Sequence, residues 1–503
     1  MSGRNRFLKS GAMLTAVALA MRTVAMFFGA FISRSVGAEG TGLYTIVMTV
    51  YSFALTLATS GISLTVTRLV ASSIGEGKRG ETGKIMRGAV LYSLLFGSLA
   101  TVFLFFGAGF LGNRVLSDQR TVLSLKILAL SLIPTALGSV FSGYFVGVKR
   151  VGHNAAVQVI GQLIKISLTV FLVVRMSPYG TARAVAALCV GVTVSEILSL
   201  ALIYLQYYID RKRHFQTKGE RGAEIPSVVK MALPLAFSAY VRSVLLNIEH
   251  ILIPRKLRER GESASESYSH YGALHGMALP MILYPMSPLS SFSGLLVPEF
   301  AETLSAGRGE RMRRIASEAL NTTLVYSTAV SVLLLLFAEE LGYVVYGSYE
   351  AGCYISMLAP IIPIMYLDHV TDSMLKGIGE HVFSMWVNIS DSLLSVALVW
   401  LLIPRLGISG YAIVIVVMEG YNFVLSVLRL YKRVRFKISL AYSLVFPLIS
   451  ATLSALLSKL VFDFCGSTTS ALWLVMKMVF AVSAFVFMNT IFKMLKSKKT
   501  VQI

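Results

Sequence analysis

Three arginines stand where a charge is costly. Arg22 lies inside the first apolar stretch of the chain, and Arg68 and Arg242 occupy comparable places further on. A guanidinium near a bilayer centre costs at least about 2.5 kcal/mol and cannot shed its proton. Such a group persists where it faces a wet cavity or an anion. Its planar fork can hold two phosphate oxygens at once and stays charged throughout. The chemistry to expect is recognition of an anion in a cationic chamber between helices. Arg34 and Arg255 sit at the far ends of their apolar stretches. They are candidates for the same anion or for interfacial anchoring.

A second set of residues is acidic. Asn388 and Asp391, at i and i+3, offer oxygens on one helical face, and a hard cation such as Na⁺ needs oxygen ligands. Glu249, seven residues after Arg242, could complete that site or neutralise the arginine. Asp368, Asp372 and Lys376 fall at i, i+4 and i+8 and read as a local charge ladder. Glu196 and Glu419 each lie within an apolar stretch. His250, His270, His275 and His369 are dispersed without metal-ligand spacing, and so are Cys189, Cys353 and Cys465. There is no Walker A sequence. No metal site and no cofactor is expected beyond coupling to Na⁺ or H⁺.

The elements that must position these groups follow from composition. The 503 residues are 55% apolar and 14% charged, with a mean hydropathy of +0.71. Apolar runs of about twenty residues recur between short polar breaks, which defines an all-α polytopic membrane protein. Fourteen spans are read, near 11–33, 42–73, 88–112, 122–147, 154–174, 184–208, 227–254, 270–303, 315–337, 351–376, 382–403, 409–430, 438–461 and 470–492. An even number puts both termini on one side. That side collects 29 Lys and Arg residues against ten opposite, so both termini are expected to be cytoplasmic. The net charge of +21 is then a topology signal in short loops, not a nucleic-acid footprint.

The chain repeats itself at an offset of 220–230 residues. Thr67–Ser72 with the basic loop after it answers Pro298–Thr303, Phe145–Lys149 answers Leu375–Gly379, and Glu196 answers Glu419. Six spans separate equivalent helices, so the copies share one orientation, as in a parallel repeat. The expected organisation is an N-terminal six-helix lobe (1–209), a basic linker (210–226) and a second six-helix lobe (227–437). Two accessory helices with a basic tail (438–503) follow, without a counterpart in the repeat.

Arg22–Ala30 followed by Ser33–Tyr44, with its Gly37-Ala38-Glu39-Gly40-Thr41-Gly42 run, resembles the opening of bacterial polysaccharide flippases of the MOP superfamily. Within it the chain resembles the stage V sporulation protein B group, and more distantly MurJ-type lipid II flippases. The resemblance implies a MATE/MurJ-like fold with two lobes and alternating access. It implies a monomeric flippase in a bacterial cytoplasmic membrane whose substrate is a polyprenyl-diphosphate-linked sugar. The resemblance aligns Arg22 with a cavity arginine and places a cation site in the helix that carries Asn388 and Asp391, while Arg68, Arg242, Arg34 and Arg255 are pyrophosphate candidates by their positions. Two alternatives compete. A cation-coupled multidrug exporter of the MATE type would favour acidic groups in the first lobe, where Arg22 stands instead. A membrane glycan polymerase or transferase would need a large outer loop with catalytic residues, and Arg255–Ser269, the longest, carries no such constellation. The chain is therefore expected not to be an enzyme.

Overall fold

A computed structural model describes residues 2–75, 81–148, 150–214, 223–464 and 470–501. Lys78, Arg79, Lys149, Cys465 and linker residues 215–222 lie outside the described residues. Among those described there is no strand. The helices are α1 (Ser2–Thr59), α2 (Ile62–Gly75), α3 (Thr82–Phe110), α4 (Arg120–Ala129), α5 (Leu132–Gly147), α6 (Val151–Met176), α7 (Thr181–His214) and α8 (Ile225–Glu259). Then come α9 (Ala264–Tyr271), α10 (Leu279–Leu283), α11 (Ser287–Ser305), α12 (Gly309–Leu336), α13 (Ala338–Leu341), α14 (Tyr349–Leu358) and α15 (Ile362–Gly377). The last are α16 (His381–Leu406), α17 (Ile408–Val434), α18 (Phe446–Phe464) and α19 (Ala471–Val501).

Eleven helical stretches among the described residues are long and apolar enough to cross a membrane. The expected count of fourteen is not confirmed. Two causes are visible in the chain. Ala20–Ile74 runs through two expected spans as one long stretch, interrupted at Gly37 (φ 72°), which lies between them, and again at Gly61. Two expected spans lack the apolarity or the continuity. α8 carries Lys230, Arg242, Glu249, Arg255 and Lys256. The 264–305 region is cut at Pro280, Pro285 and Pro288 into α9, a π-helical turn (272–278), α10, a 3₁₀ turn and α11.

The internal repeat is written in the packing. In one half Val66, Val70, Tyr144 and Phe145 share a buried core. In the other, Leu296, Phe300, Met374 and Leu375, each 230 residues later, do the same. A glycine sets the helix approach in both. A Cβ on Gly147 of α5 would lie 3.0 Å from Thr67 O of α2, and one on Gly377 of α15 would lie 2.9 Å from Val297 O of α11. Small residues bring membrane helices close enough to gain dispersion contacts that lipid cannot match. Thr67 Oγ1 adds a bond to Gly143 O (3.1 Å) across the first contact.

Packing groups the chain differently from the repeat. The compact units are Ser35–Ser269 and Met1–Arg34 with His270–Ile503, so neither boundary falls at the 210–226 linker. α8 packs on α2 and α3 in the first unit. The start of α1 belongs to the second unit, and the chain leaves it beside Gly37, whose φ of 72° suits only glycine without strain.

The accessory pair α18 and α19 also belongs to the second unit, where both pack on α12. Lys477, a charge in an otherwise apolar span, is buried there between Glu340 Oε1 and Asp463 Oδ1, each 3.2 Å away.

Candidate anion and cation sites

Arg22 is exposed on α1. Its Nη2 donates to Leu283 O (3.2 Å), and the adjacent Thr23 Oγ1 shares a hydrogen bond with Tyr284 OH (2.8 Å). Leu283 ends α10 and Tyr284 opens the 3₁₀ turn that follows it. Tyr366 and His369 of α15 are close enough to feel the Arg22 charge. The rest of the guanidinium has no protein acceptor among the described residues, which leaves a fork free for an anion.

Arg68 and Arg242 are also exposed, with no acceptor or carboxylate partner among the described residues. The expectation that they meet in one chamber needs correction. Ala232 of α8 lies over Gly61. Further along α8, Tyr240 OH donates to Leu57 O (3.2 Å) and Ser243 Oγ to Thr56 Oγ1 (3.4 Å). The two segments therefore run antiparallel. Arg68 and Arg242 fall on opposite sides of the Gly61–Ala232 contact, roughly 25 Å apart at about 1.5 Å per residue. They form two stations along the unit, separated by most of a bilayer's thickness, and no single pyrophosphate touches both.

Arg34 and Arg255 turn out to be engaged by the protein. Arg34 Nε donates to Val345 O (2.9 Å) and its Nη2 to Val344 O. It caps the carbonyl end of the π-helical turn 342–346, where a cation meets the negative helix pole. Arg255 is exposed and pairs with Glu259 one turn on (3.7 Å). The sequence reading missed the counterpart of Arg34, which is Arg258. Arg258 Nη2 donates to Leu116 O (2.7 Å) and Nη1 to Ser117 O (3.1 Å), capping the turn 111–115 in the other unit. The signal was available. Each arginine stands three residues before a glycine of positive φ, Gly37 and Gly261.

In the second unit a cavity of about 200 Å³ is lined by Asp368, His369 and Asp372 of α15, Asn388 of α16, and Glu419 and Asn422 of α17, among others. Asn388 Nδ2 is committed to Ser384 O (2.7 Å), so its oxygen is the group left for a cation. Asp368 and Asp391 are the charged neighbours of Glu419. Asp368 Oδ1 and Asn422 Oδ1 are buried without a donor among the described residues. Orphan oxygens beside clustered carboxylates suit a small cation or a proton. Asn388 and Asp391 thus belong to an oxygen-rich locality, while Glu249 is buried in the other compact unit. Within the unit, Glu419 and Asp368 accompany them instead. The charge ladder is present in part, since Lys376 Nζ pairs with Asp372 Oδ2 at 2.5 Å.

The fold and these sites define a class. Residues 7–304 match the model of the polysaccharide biosynthesis protein family, and the chain belongs to that family. Residues 274–401 also match the MatE family. Among curated proteins, the chain is similar to stage V sporulation protein B of Bacillus subtilis (strain 168). That likeness is 25% identity over 420 residues, covering 82% of this chain and 81% of that protein. It is 22% identical to lipid II flippase MurJ of the same organism over 76% of this chain and 74% of that one. Among solved structures, lipid II flippase MurJ in an inward closed conformation superposes with a TM-score of 0.70 at 13% identity, covering 95% of this chain and 98% of that one. An inward-facing MATE-family multidrug resistance transporter of the MOP superfamily gives 0.65 at 16% identity, covering 84% and 98%. These structural likenesses carry the all-helical MATE/MurJ fold.

Proposed function

We propose that this chain is an alternating-access flippase that carries a polyprenyl-diphosphate-linked sugar across the bacterial cytoplasmic membrane, with both termini in the cytoplasm. One observation carries the reading: Arg22, within the membrane-spanning part of α1, makes one hydrogen bond, to Leu283 O, among the described residues, which leaves most of its guanidinium for an anion. Family membership and the relatives' names support it. A diphosphate is the hard part of such a substrate to move through a low-dielectric region, and fixed guanidinium charges offset that cost. Arg68 and Arg242, as two stations, would meet the anion at successive depths. Outward movement of an anion from a cell with a negative interior gains roughly 2.3 kcal/mol per charge per 100 mV. A coupling Na⁺ or H⁺ would be held by Asn388, Asp391, Glu419 and Asp368, and would supply a second drive. The working unit is a monomer, and the chain performs no covalent chemistry.

The acidic cavity favours a second reading, cation-coupled drug export, which the MatE match and the MATE fold also accommodate. Purified protein in proteoliposomes separates the two. The expected result is flipping of a fluorescent polyprenyl-diphosphate sugar and co-purification of such a lipid in native mass spectra. Export of lipophilic cations with no movement of the diphosphate lipid would overturn the flippase.

A further inference from the structure

The two repeats share a clasp whose polarity is reversed. In the first unit, Arg120 at the start of α4 reaches back to Glu39, with Nη1 to Oε1 at 2.6 Å. In the second, the residue 230 positions after Arg120 is Glu350, at the start of α14, and its partner is His270 of α9. His270 stands 231 positions after Glu39. The surroundings match as well. Ser117 and Gly347 are both at positive φ, and each follows a π-helical turn. Each turn is capped by the arginine described above, Arg258 or Arg34. The base has changed from one that is always charged to one that titrates between about pH 5 and 8.

We infer that His270, Glu350 and Tyr354 form a proton-responsive clasp that tightens in acid and fixes the segment on which Arg22 rests. Tyr354 OH donates to Glu350 Oε1 (2.8 Å) and lies 3.1 Å from His270 Nδ1, so all three groups meet at one point. His270 and Glu350 are about one-third exposed, so protons reach them. From His270 the chain runs through the turn 272–278 into α10, and Leu283 O at its end accepts from Arg22. Holding α9 to α14 therefore steadies the carbonyl that orients the guanidinium.

The other titratable and charged groups in the packed elements include Glu339 and Glu340 of α13, the second paired with Lys477 (3.2 Å), Glu266, which accepts from Ser263 (2.8 Å), Tyr343 and Tyr346 of the turn 342–346, and Arg34 on its carbonyls. His275 lies between Tyr271 and Tyr411. Protonation adds a full charge to the imidazole–carboxylate bond. The stabilisation is present at low pH and is lost as the pH rises through the imidazole's titration.

The inference rests on the proposed role of Arg22, and its test does not need that role. Hydrogen exchange of the full chain in nanodiscs is compared at about pH 5.5 and about pH 8, with intrinsic rates corrected, for peptides covering 264–283. Wild type is expected to exchange about two- to fivefold more slowly in acid, the span an exposed ion pair supports. H270R should be slow at both values, as its Arg120–Glu39 counterpart would be. H270Q and E350Q should show no dependence on pH. A wild-type pH dependence retained in H270Q and E350Q, or none in wild type, overturns the clasp. Because no substrate is present, failure of the flippase reading would appear only in the transport assay.

Discussion

Replacing Arg22 separates a substrate contact from a structural one. Among the described residues its one protein bond is a 3.2 Å donation to Leu283 O from an exposed side chain. Arg22→Ala should therefore cost less than about 1 kcal/mol of stability. In transport it removes two charge-assisted bonds to phosphate oxygens, each about 1.5–3 kcal/mol. The lower end gives about 3 kcal/mol, on the order of a 10²-fold loss in flipping rate. Arg22→Lys keeps the charge and loses the fork, so it should retain activity at a loss of roughly tenfold. The assay is flipping of a labelled polyprenyl-diphosphate sugar in proteoliposomes, with melting temperature and membrane abundance followed in parallel. An alanine variant that flips within about twofold of wild type refutes the pyrophosphate role. A loss of activity that tracks a large drop in melting temperature points to a packing role instead.

Glu380 accepts from Arg429 Nη2 (2.8 Å) and from Arg433 Nε (2.8 Å). These bonds, with Arg429 first, hold its carboxyl below the usual range. Its stabilisation is present above the ordinary carboxylate pKa and disappears as the pH falls through the depressed one. Thermal scans at falling pH should show this acid loss in wild type and less of it in Glu380→Gln. Gly377→Ala would place a Cβ 2.7 Å from Phe300 Cβ and should lower stability by about 1–3 kcal/mol. A melting temperature equal to wild type would mean that α11 and α15 can separate freely. Lys477→Ala leaves Glu340 and Asp463 without their shared cation, and limited proteolysis should cut the α18–α19 region faster. Asn388→Ala with Glu419→Gln should remove any Na⁺ or H⁺ dependence of transport while leaving Arg22-dependent lipid binding intact, as native mass spectrometry can read.

Much of this molecule is legible along its sequence, because a bilayer restricts the choices. Spans must be helical, charges within them must have a reason, and a repeat offset of 230 residues carries one core onto the other, Val70 onto Phe300 and Gly147 onto Gly377. The polysaccharide family was visible in the opening residues, and Arg22 was marked by its cost alone. Tertiary structure decided what each charge does. One residue along a helix turns a side chain by about 100°, so sequence could not tell that Arg34 faces the carbonyls of 344 and 345 while Arg22 makes a single bond, to Leu283 O, among the described residues. Nor could it fix the register of α8 against α2, which sets Arg68 and Arg242 far apart, because that register hangs on Gly61 meeting Ala232. The contact units were equally hidden. A repeat read along the chain assigns each first helix to its own lobe, and only packing shows α8 lying on α2 and α3, and residues 1–34 grouped with 270–503.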